Sequence, residues 1–226
     1  MQRRIPLIYL SIWFASLTIL FTIMVIKNRL TVIDRFFYDL YTLGTNPFLE
    51  KIIKGITSIA DTKTLSFISL LAFVWLLIRK SPLSQVLLFL VVMGGGIVIT
   101  FIMKLTIERE RPGEVVFVDF WGLGNHLVSY SFPSGHAIKA LLFFGCVYYF
   151  VRKEIKNLKL KQSVGVLFML VVIFIGIGQV ILNKHYASDV IGGYFVGTTW
   201  FLFCIAIYHS SFLYKTDANE IKNIKL

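Results

Sequence analysis

A chain of 226 residues with 57% hydrophobic and only 15% charged positions is too apolar to be a soluble domain of this size. Its formal net charge of +11 needs no nucleic-acid partner, because membrane proteins accumulate lysine and arginine on one side as topology information. The two cysteines, Cys146 and Cys204, fall in separate apolar stretches and read as small core residues, which excludes a disulfide framework or a cysteine metal site.

Six stretches are apolar enough to cross a bilayer, whose hydrocarbon core of roughly 30 Å takes about 20 helical residues. The first, Leu7 to Ile26, exceeds the roughly 7–15 residues of a signal-peptide core and is followed by no small-x-small cleavage site, so it reads as a retained span. The outer segment after it, Lys27 to Lys63, contains V-I-D-R-F-F-Y-D-L-Y (Val32 to Tyr41). There aromatic and aliphatic residues alternate with Asp34, Arg35 and Asp39, predicting a helix that lies in the outer interface. Thr64 to Ile78 and Leu83 to Met103 are the second and third spans. A long outer segment, Lys104 to Gly135, is rich in charge, glycine and aromatic residues; in it Phe120 and Trp121 suit lipid contact or interfacial anchoring, and His126 reads as a loop histidine. The fourth span, Ala137 to Val151, and the fifth, Val164 to Leu182, are joined by a basic inner loop, and Asn183 to Asp189 leads to the sixth span, Val190 to His209. The glycines at 94–96, 176, 178, 192 and 193 predict close helix packing within the membrane.

An even number of spans leaves both termini on one side. That side carries Arg3, Arg4, Arg79, Lys80, Arg152, Lys153, Lys156, Lys159, Lys161, Lys215, Lys222 and Lys225 against Glu154, Asp217 and Glu220, whereas the opposite side is nearly balanced. The basic side is therefore cytoplasmic. The expected architecture is one all-α membrane domain over residues 1–226: a bundle of six transmembrane helices, both termini cytoplasmic, with an interfacial helix between the first two spans. A bacterial plasma membrane is the most economical location. The sequence sets no oligomeric state.

The same topology brings three polar clusters to the outer face. They are K-L-T-I-E-R-E-R-P (Lys104 to Pro112), P-S-G-H (Pro133 to His136) and H-Y-A-S-D (His185 to Asp189). Charged and titratable groups at span ends are costly unless they line a wet cavity or pair, so a functional site is the default reading; Lys104 or Lys184 taken singly would also suit snorkelling. Lys104 and Arg111 are fixed cations, and the Ser134 hydroxyl with the N–H groups around Gly135 presents donors at a helix start, which describes a phosphate cradle. His185 and Asp189 are four apart, on one helical face if the helix begins that early, so the carboxylate would hold one ring nitrogen and free the other for attack. His136 would supply a proton to the departing oxygen. Glu108, Arg109 and Glu110 read as a solvated or mutually paired run.

In these blocks the chain resembles the phosphatidic acid phosphatase type 2 superfamily of membrane lipid phosphatases, whose pattern K-x6-R-P, P-S-G-H, S-R-x5-H-x3-D is shared with vanadium haloperoxidases. Lys104, Arg111 and Pro112 match the first block, Pro133 to His136 the second, and His185 and Asp189 the end of the third. The resemblance implies attack on phosphorus by His185 backed by Asp189, protonation by His136, and phosphate binding by Lys104, Arg111, Ser134 and Gly135. It implies no cofactor and no metal ion, the cations taking that part, and a membrane lipid phosphate as substrate: phosphatidylglycerol phosphate, phosphatidate or an isoprenyl diphosphate, met at the outer leaflet.

Where the pattern has Ser-Arg, this chain has Gly178-Gln179, so a phosphate-binding arginine is missing. A charge-assisted hydrogen bond is worth roughly 1.5–3 kcal/mol, about 10- to 100-fold in rate if nothing compensates. Lys139, one turn beyond His136, and Lys184, beside His185, are the candidates to compensate, although Lys184 fits an interfacial lysine equally well. Two rival functions remain open: a lipid phosphotransferase using the same phosphohistidine, and a non-catalytic binder or transporter of phosphorylated lipid.

Overall fold

A computed structural model of the chain describes residues 4–42, 44, 46–113, 117–119 and 126–210. Among them are eight α-helices: α1 (Arg4–Ile26), α2 (Thr31–Thr42), α3 (Pro47–Thr57), α4 (Thr62–Ile78), α5 (Leu83–Ile107), α6 (Gly135–Val151), α7 (Leu158–Ile181) and α8 (Ala187–Ser210). A 3₁₀ turn, Ser58–Ala60, joins α3 to α4.

The apolar stretches become helices wherever length and backbone satisfaction allow it, since in lipid every backbone N–H and C=O must be paired internally. Leu7–Ile26, α5, α7 and α8 are each long and apolar enough to span a bilayer, and α3 with α4, bent by 48° at the 3₁₀ turn, makes a fifth candidate. This is a multi-pass membrane protein. The remaining expected span, Ala137 to Val151, falls on α6, an apolar helix of 17 residues, about 25 Å long at 1.5 Å per residue. Several helices extend past their expected ends. α5 continues through Lys104 to Ile107, stopping where Glu108 takes a left-handed conformation. The N-terminus of α3 is set by Pro47 and by the Asn46 side chain, which accepts from Phe48 N–H at 2.8 Å.

α6 is the centre of the bundle. It packs against α5, α7 and α8, and Ile138, Leu142, Phe143, Cys146, Tyr149 and Phe150 are all buried. α1 lies along α8, fastened by the Thr18 and Thr199 hydroxyls at 2.9 Å. Outward faces of α1, α5 and α7 stay apolar, with Trp13, Ile19, Val98, Ile102, Leu167 and Phe174 exposed; such a belt is stable only against lipid. The cysteines are free and buried.

The interfacial helix expected from Val32 to Tyr41 corresponds to α2. The segment after α5 departs from an all-α reading: β1 (Phe117–Asp119) and β2 (His126–Val128) pair antiparallel, with Phe117 opposite Val128 and Asp119 opposite His126. His126 is thus a strand residue. The run V-V-F-V-D-F at positions 115–120 is β-branched and aromatic, which favours a pleated ribbon over a helix. Phe120 and Trp121 lie outside the described residues, as do Arg3, Lys215, Lys222 and Lys225 of the charge argument.

Close packing explains most of the glycines. A Cβ at Gly95 would come within 2.1 Å of the Trp200 ring, and one at Gly96 within 2.1 Å of Leu142, whereas Gly94 faces open space. Trp200 is itself held by donation from its indole N–H to the Val92 carbonyl at 3.0 Å. Gly95→Val is therefore expected to displace Trp200 and destabilise the bundle by about 1–3 kcal/mol, read as a lower thermal midpoint in detergent, while Gly94→Ala leaves the midpoint unchanged or slightly raised.

Candidate active site

A cavity of about 740 Å³ opens between α4, α5 and the start of α6. Its long wall is apolar, built by Leu65, Phe73, Phe89, Met93, Ile97 and Phe101, and its far end is polar, where Lys104, Arg111, Gly135, His136, Lys139 and His185 all reach the same space. Three clusters separated by tens of residues in the chain thus meet around one volume.

Each side chain is fixed by its element. Lys104, on the last turn of α5, donates to the Tyr130 carbonyl. Arg111 lies beyond the helix end and donates through Nε to the Ser129 carbonyl at 2.7 Å, through Nη2 to the Ser129 hydroxyl at 3.0 Å and through Nη1 to the Lys184 carbonyl at 2.8 Å. Lys139 donates to the Thr62 hydroxyl at 2.9 Å. These partners are neutral, so the positive charges at this end of the cavity remain available to an anion.

His185 precedes α8 rather than lying on it. The helix begins at Ala187, so the expected one-face geometry does not arise from helical spacing. The pair meets because Asp189, in the first turn of α8, reaches back to accept the Tyr186 N–H at 2.9 Å, a cap that folds the entering chain over the carboxylate. His185 Nδ1 then lies 3.6 Å from Asp189 Oδ2 and 3.3 Å from the Ser131 hydroxyl, which also donates to that oxygen. Engagement of Nδ1 leaves Nε2 as the nitrogen available for attack.

His185 is 2% exposed. Burial pushes its imidazole down to about 3, helped by the cations of Arg111 and Lys104 and opposed by Asp189. The ring is neutral at physiological pH, which is the form a nucleophile needs.

His136, near the start of α6, pairs through Nε2 with Asp61 Oδ1 at 2.9 Å, the carboxylate coming from the break between the 3₁₀ turn and α4. Ser134, the residue before α6, is fully buried and its hydroxyl has no partner among the described residues.

Of the two residues expected to compensate for the missing arginine, Lys139 lines the cavity. Lys184 is exposed and outside the lining, and contributes its carbonyl to Arg111. Gln179 is fully buried on α7, its carboxamide without a partner among the described residues and outside the cavity lining.

Sequence reasoning missed four residues. Arg109 does not belong to a solvated run: Glu108 and Glu110 are exposed, but Arg109 turns inward to Asp189 Oδ1 at 2.5 Å, Ser188 Oγ at 2.7 Å and Asp34 Oδ2 at 2.7 Å. Burial alone would lower its pKa; the two carboxylates outweigh that and raise it. Asp34, Asp61 and Ser131 were likewise not singled out. Ser131 alone had a local signal, standing just before the P-S-G-H block.

A family model described as the PAP2 superfamily matches residues 85–212. Phosphatidylglycerophosphatase B of Bacillus subtilis (strain 168) is 31% identical over 157 residues, 69% of this chain and 73% of that protein. Among solved structures, a transmembrane PAP2 type phosphatidylglycerolphosphate phosphatase from Bacillus subtilis superposes with a TM-score of 0.75 at 24% identity, covering 88% of this chain and 96% of the other, a likeness of fold.

The burial of His185 is directly measurable. In ¹⁵N NMR of ring-labelled protein, its imidazole should remain neutral at about pH 5, where an exposed histidine is largely protonated; a titration near 6.5 would contradict the enclosed site.

Proposed function

The chain belongs to the PAP2 superfamily, and from that premise we propose that it is a lipid phosphate phosphohydrolase working through a phosphohistidine. The observation that carries this reading is the two-ended cavity, with two histidines and three cations at one end and an apolar wall between α4 and α5 along the rest. A head bearing phosphate suits the first end and hydrocarbon suits the second.

In the first step His185 Nε2 forms a bond to phosphorus as the ester P–O bond breaks, and His136 gives its proton to the departing oxygen. In the second step water attacks phosphorus, the N–P bond breaks, inorganic phosphate leaves and His136 recovers a proton from the water. Asp189 steadies the His185 ring. Lys104, Arg111, Ser134 and Gly135 hold the phosphate, with Lys139 in place of the arginine that Gln179 cannot supply. Because these cations carry the phosphoryl charge, turnover needs no metal ion.

The hydrocarbon enters sideways from the bilayer, and the site faces the outer leaflet of the plasma membrane. Phosphatidylglycerol phosphate is the first substrate to try, since the curated relative is a phosphatidylglycerophosphatase; phosphatidate and isoprenyl diphosphates also fit a phosphate head on an apolar tail. The glutamine at position 179 gives the non-catalytic binder its one specific support.

Phosphate release from these lipids in detergent, with chelator present, should fall about a thousandfold or more in His185→Ala; lipid binding without release by the parent would establish the binder, and label passing to a second lipid the phosphotransferase. Lys139→Ala is expected to lose about 10- to 100-fold. A loss no larger than that of Lys184→Ala would remove Lys139 from the phosphate site. Gln179→Arg should lower activity, because a guanidinium at this fully buried position would be a charge without a partner on the residue whose carbonyl holds the His185 N–H.

A further inference from the structure

We infer that Asp34 and Arg109 are positioning residues for the His185–Asp189 pair, and that α2 serves as the arm that brings this support from the opposite end of the chain. The inference rests on the roles given to His185 and Asp189 above.

α2 is amphipathic, and its outer side is well exposed, with Val32 at 80% and Phe36 at 59%. Asp34 on the same helix is 4% exposed. A helix that only lay on a surface would have no reason to bury a carboxylate, since an unpaired buried charge is strongly destabilising. The partners supply the reason. Asp34 Oδ1 accepts the backbone N–H of Ser188 at 2.9 Å, and Oδ2 accepts the Ser188 hydroxyl and Arg109 Nη2, both at 2.7 Å. Asp34 therefore caps the first turn of α8 from another helix, satisfying one of its free N–H groups and opposing the positive end of its dipole.

Arg109 closes the circuit. Nη1 donates to Asp189 Oδ1 at 2.5 Å and to the Ser188 hydroxyl at 2.7 Å, while Nη2 holds Asp34. The Tyr186 ring stacks below the guanidinium, 4.3 Å from its centre. One cation is thus shared between two buried carboxylates. With Asp34 present, Asp189 is oriented but incompletely neutralised, so its charge still acts on His185 at 3.6 Å. That residual charge stabilises the ring as it becomes positive on bonding to phosphorus.

The two partners fail in different ways. Without the Asp34 charge, Arg109 belongs wholly to Asp189 and quenches it. Without Arg109, two carboxylates face each other unscreened and Asp189 loses its orientation. Because Asp34 acts through Arg109, the losses should not add.

The experiment is a double-mutant cycle on phosphate release, with Asp34→Asn, Arg109→Gln and the double variant. Asp34→Asn keeps an oxygen for the Ser188 N–H. It should lower kcat about tenfold with KM within about twofold, Arg109→Gln should lower kcat about 10- to 100-fold, and the double variant should fall no lower than Arg109→Gln alone. Arg109→Lys should not restore kcat, since an ammonium cannot span both carboxylates. Additive losses, an unchanged kcat, or a rise in KM alone would overturn the inference. Thermal midpoints in detergent exclude simple unfolding, and if Arg109→Gln does not fold, Arg109→Lys takes its place in the cycle. The His185 ¹⁵N ring shifts should move in Asp34→Asn whether or not the parent turns over. A silent parent with shifted resonances would fault the phosphatase reading alone, and unshifted resonances would fault the coupling.

Discussion

A carboxylate with no exposure to water keeps its charge only if donors surround it, and Asp189 is such a carboxylate. Its donors come from widely separated parts of the chain: the Tyr186 N–H at the head of its own helix, the Ser131 hydroxyl from the loop before α6, and the Arg109 guanidinium from the end of α5. Its backbone carbonyl also accepts the Ser134 N–H at 3.0 Å. The end of α5, the loop before α6 and the start of α8 are thereby tied to one residue. The central packing of α6 against α5 and α8 is what makes those donors arrive together, so the apolar core and the polar site are aspects of one arrangement.

The cations follow a complementary rule. Lys104, Arg111 and Lys139 rest on carbonyl or hydroxyl oxygens, whereas Arg109 rests on carboxylates. A dipole holds a cation in place but leaves its charge unneutralised; a carboxylate cancels it. The former group is therefore suited to meeting an anion and the latter to holding the carboxylates in place, a division visible in the hydrogen bonds before any ligand is considered. The low-dielectric wall of Phe89, Met93, Ile97 and Phe101 strengthens whatever ion pair forms beside it.

Much of this was legible in the sequence because the relevant signals are local. Hydropathy located most helices, and the motif blocks named Lys104, Arg111, His136 and His185, which line one cavity. What escaped lacked local signals. Asp34 and Ser188 are 154 positions apart, and no periodicity announces that an acidic residue on an amphipathic helix will be drawn inward. Arg109 sat between two glutamates, which suggested a solvated run, and only the fold shows the three side chains parting. Lys184 looked useful by adjacency, yet successive residues of a non-helical segment point different ways, and its neighbour His185 took the interior. The bend between α3 and α4 was invisible to hydropathy because Glu50, Lys51 and Lys54 mark α3 as polar.

Two helices begin at the polar end of the cavity, α4 with Thr62 and α6 with Gly135, and neither first turn has a side-chain cap. The first N–H groups of any helix have no carbonyl partner within it, and together they present a fractional positive potential. Unlike a lysine, that potential has no proton to lose, and no single side-chain replacement erases it. A pull on any anion that enters the cavity is consequently built into the path of the main chain, beneath whatever the lysines and the arginine add to it.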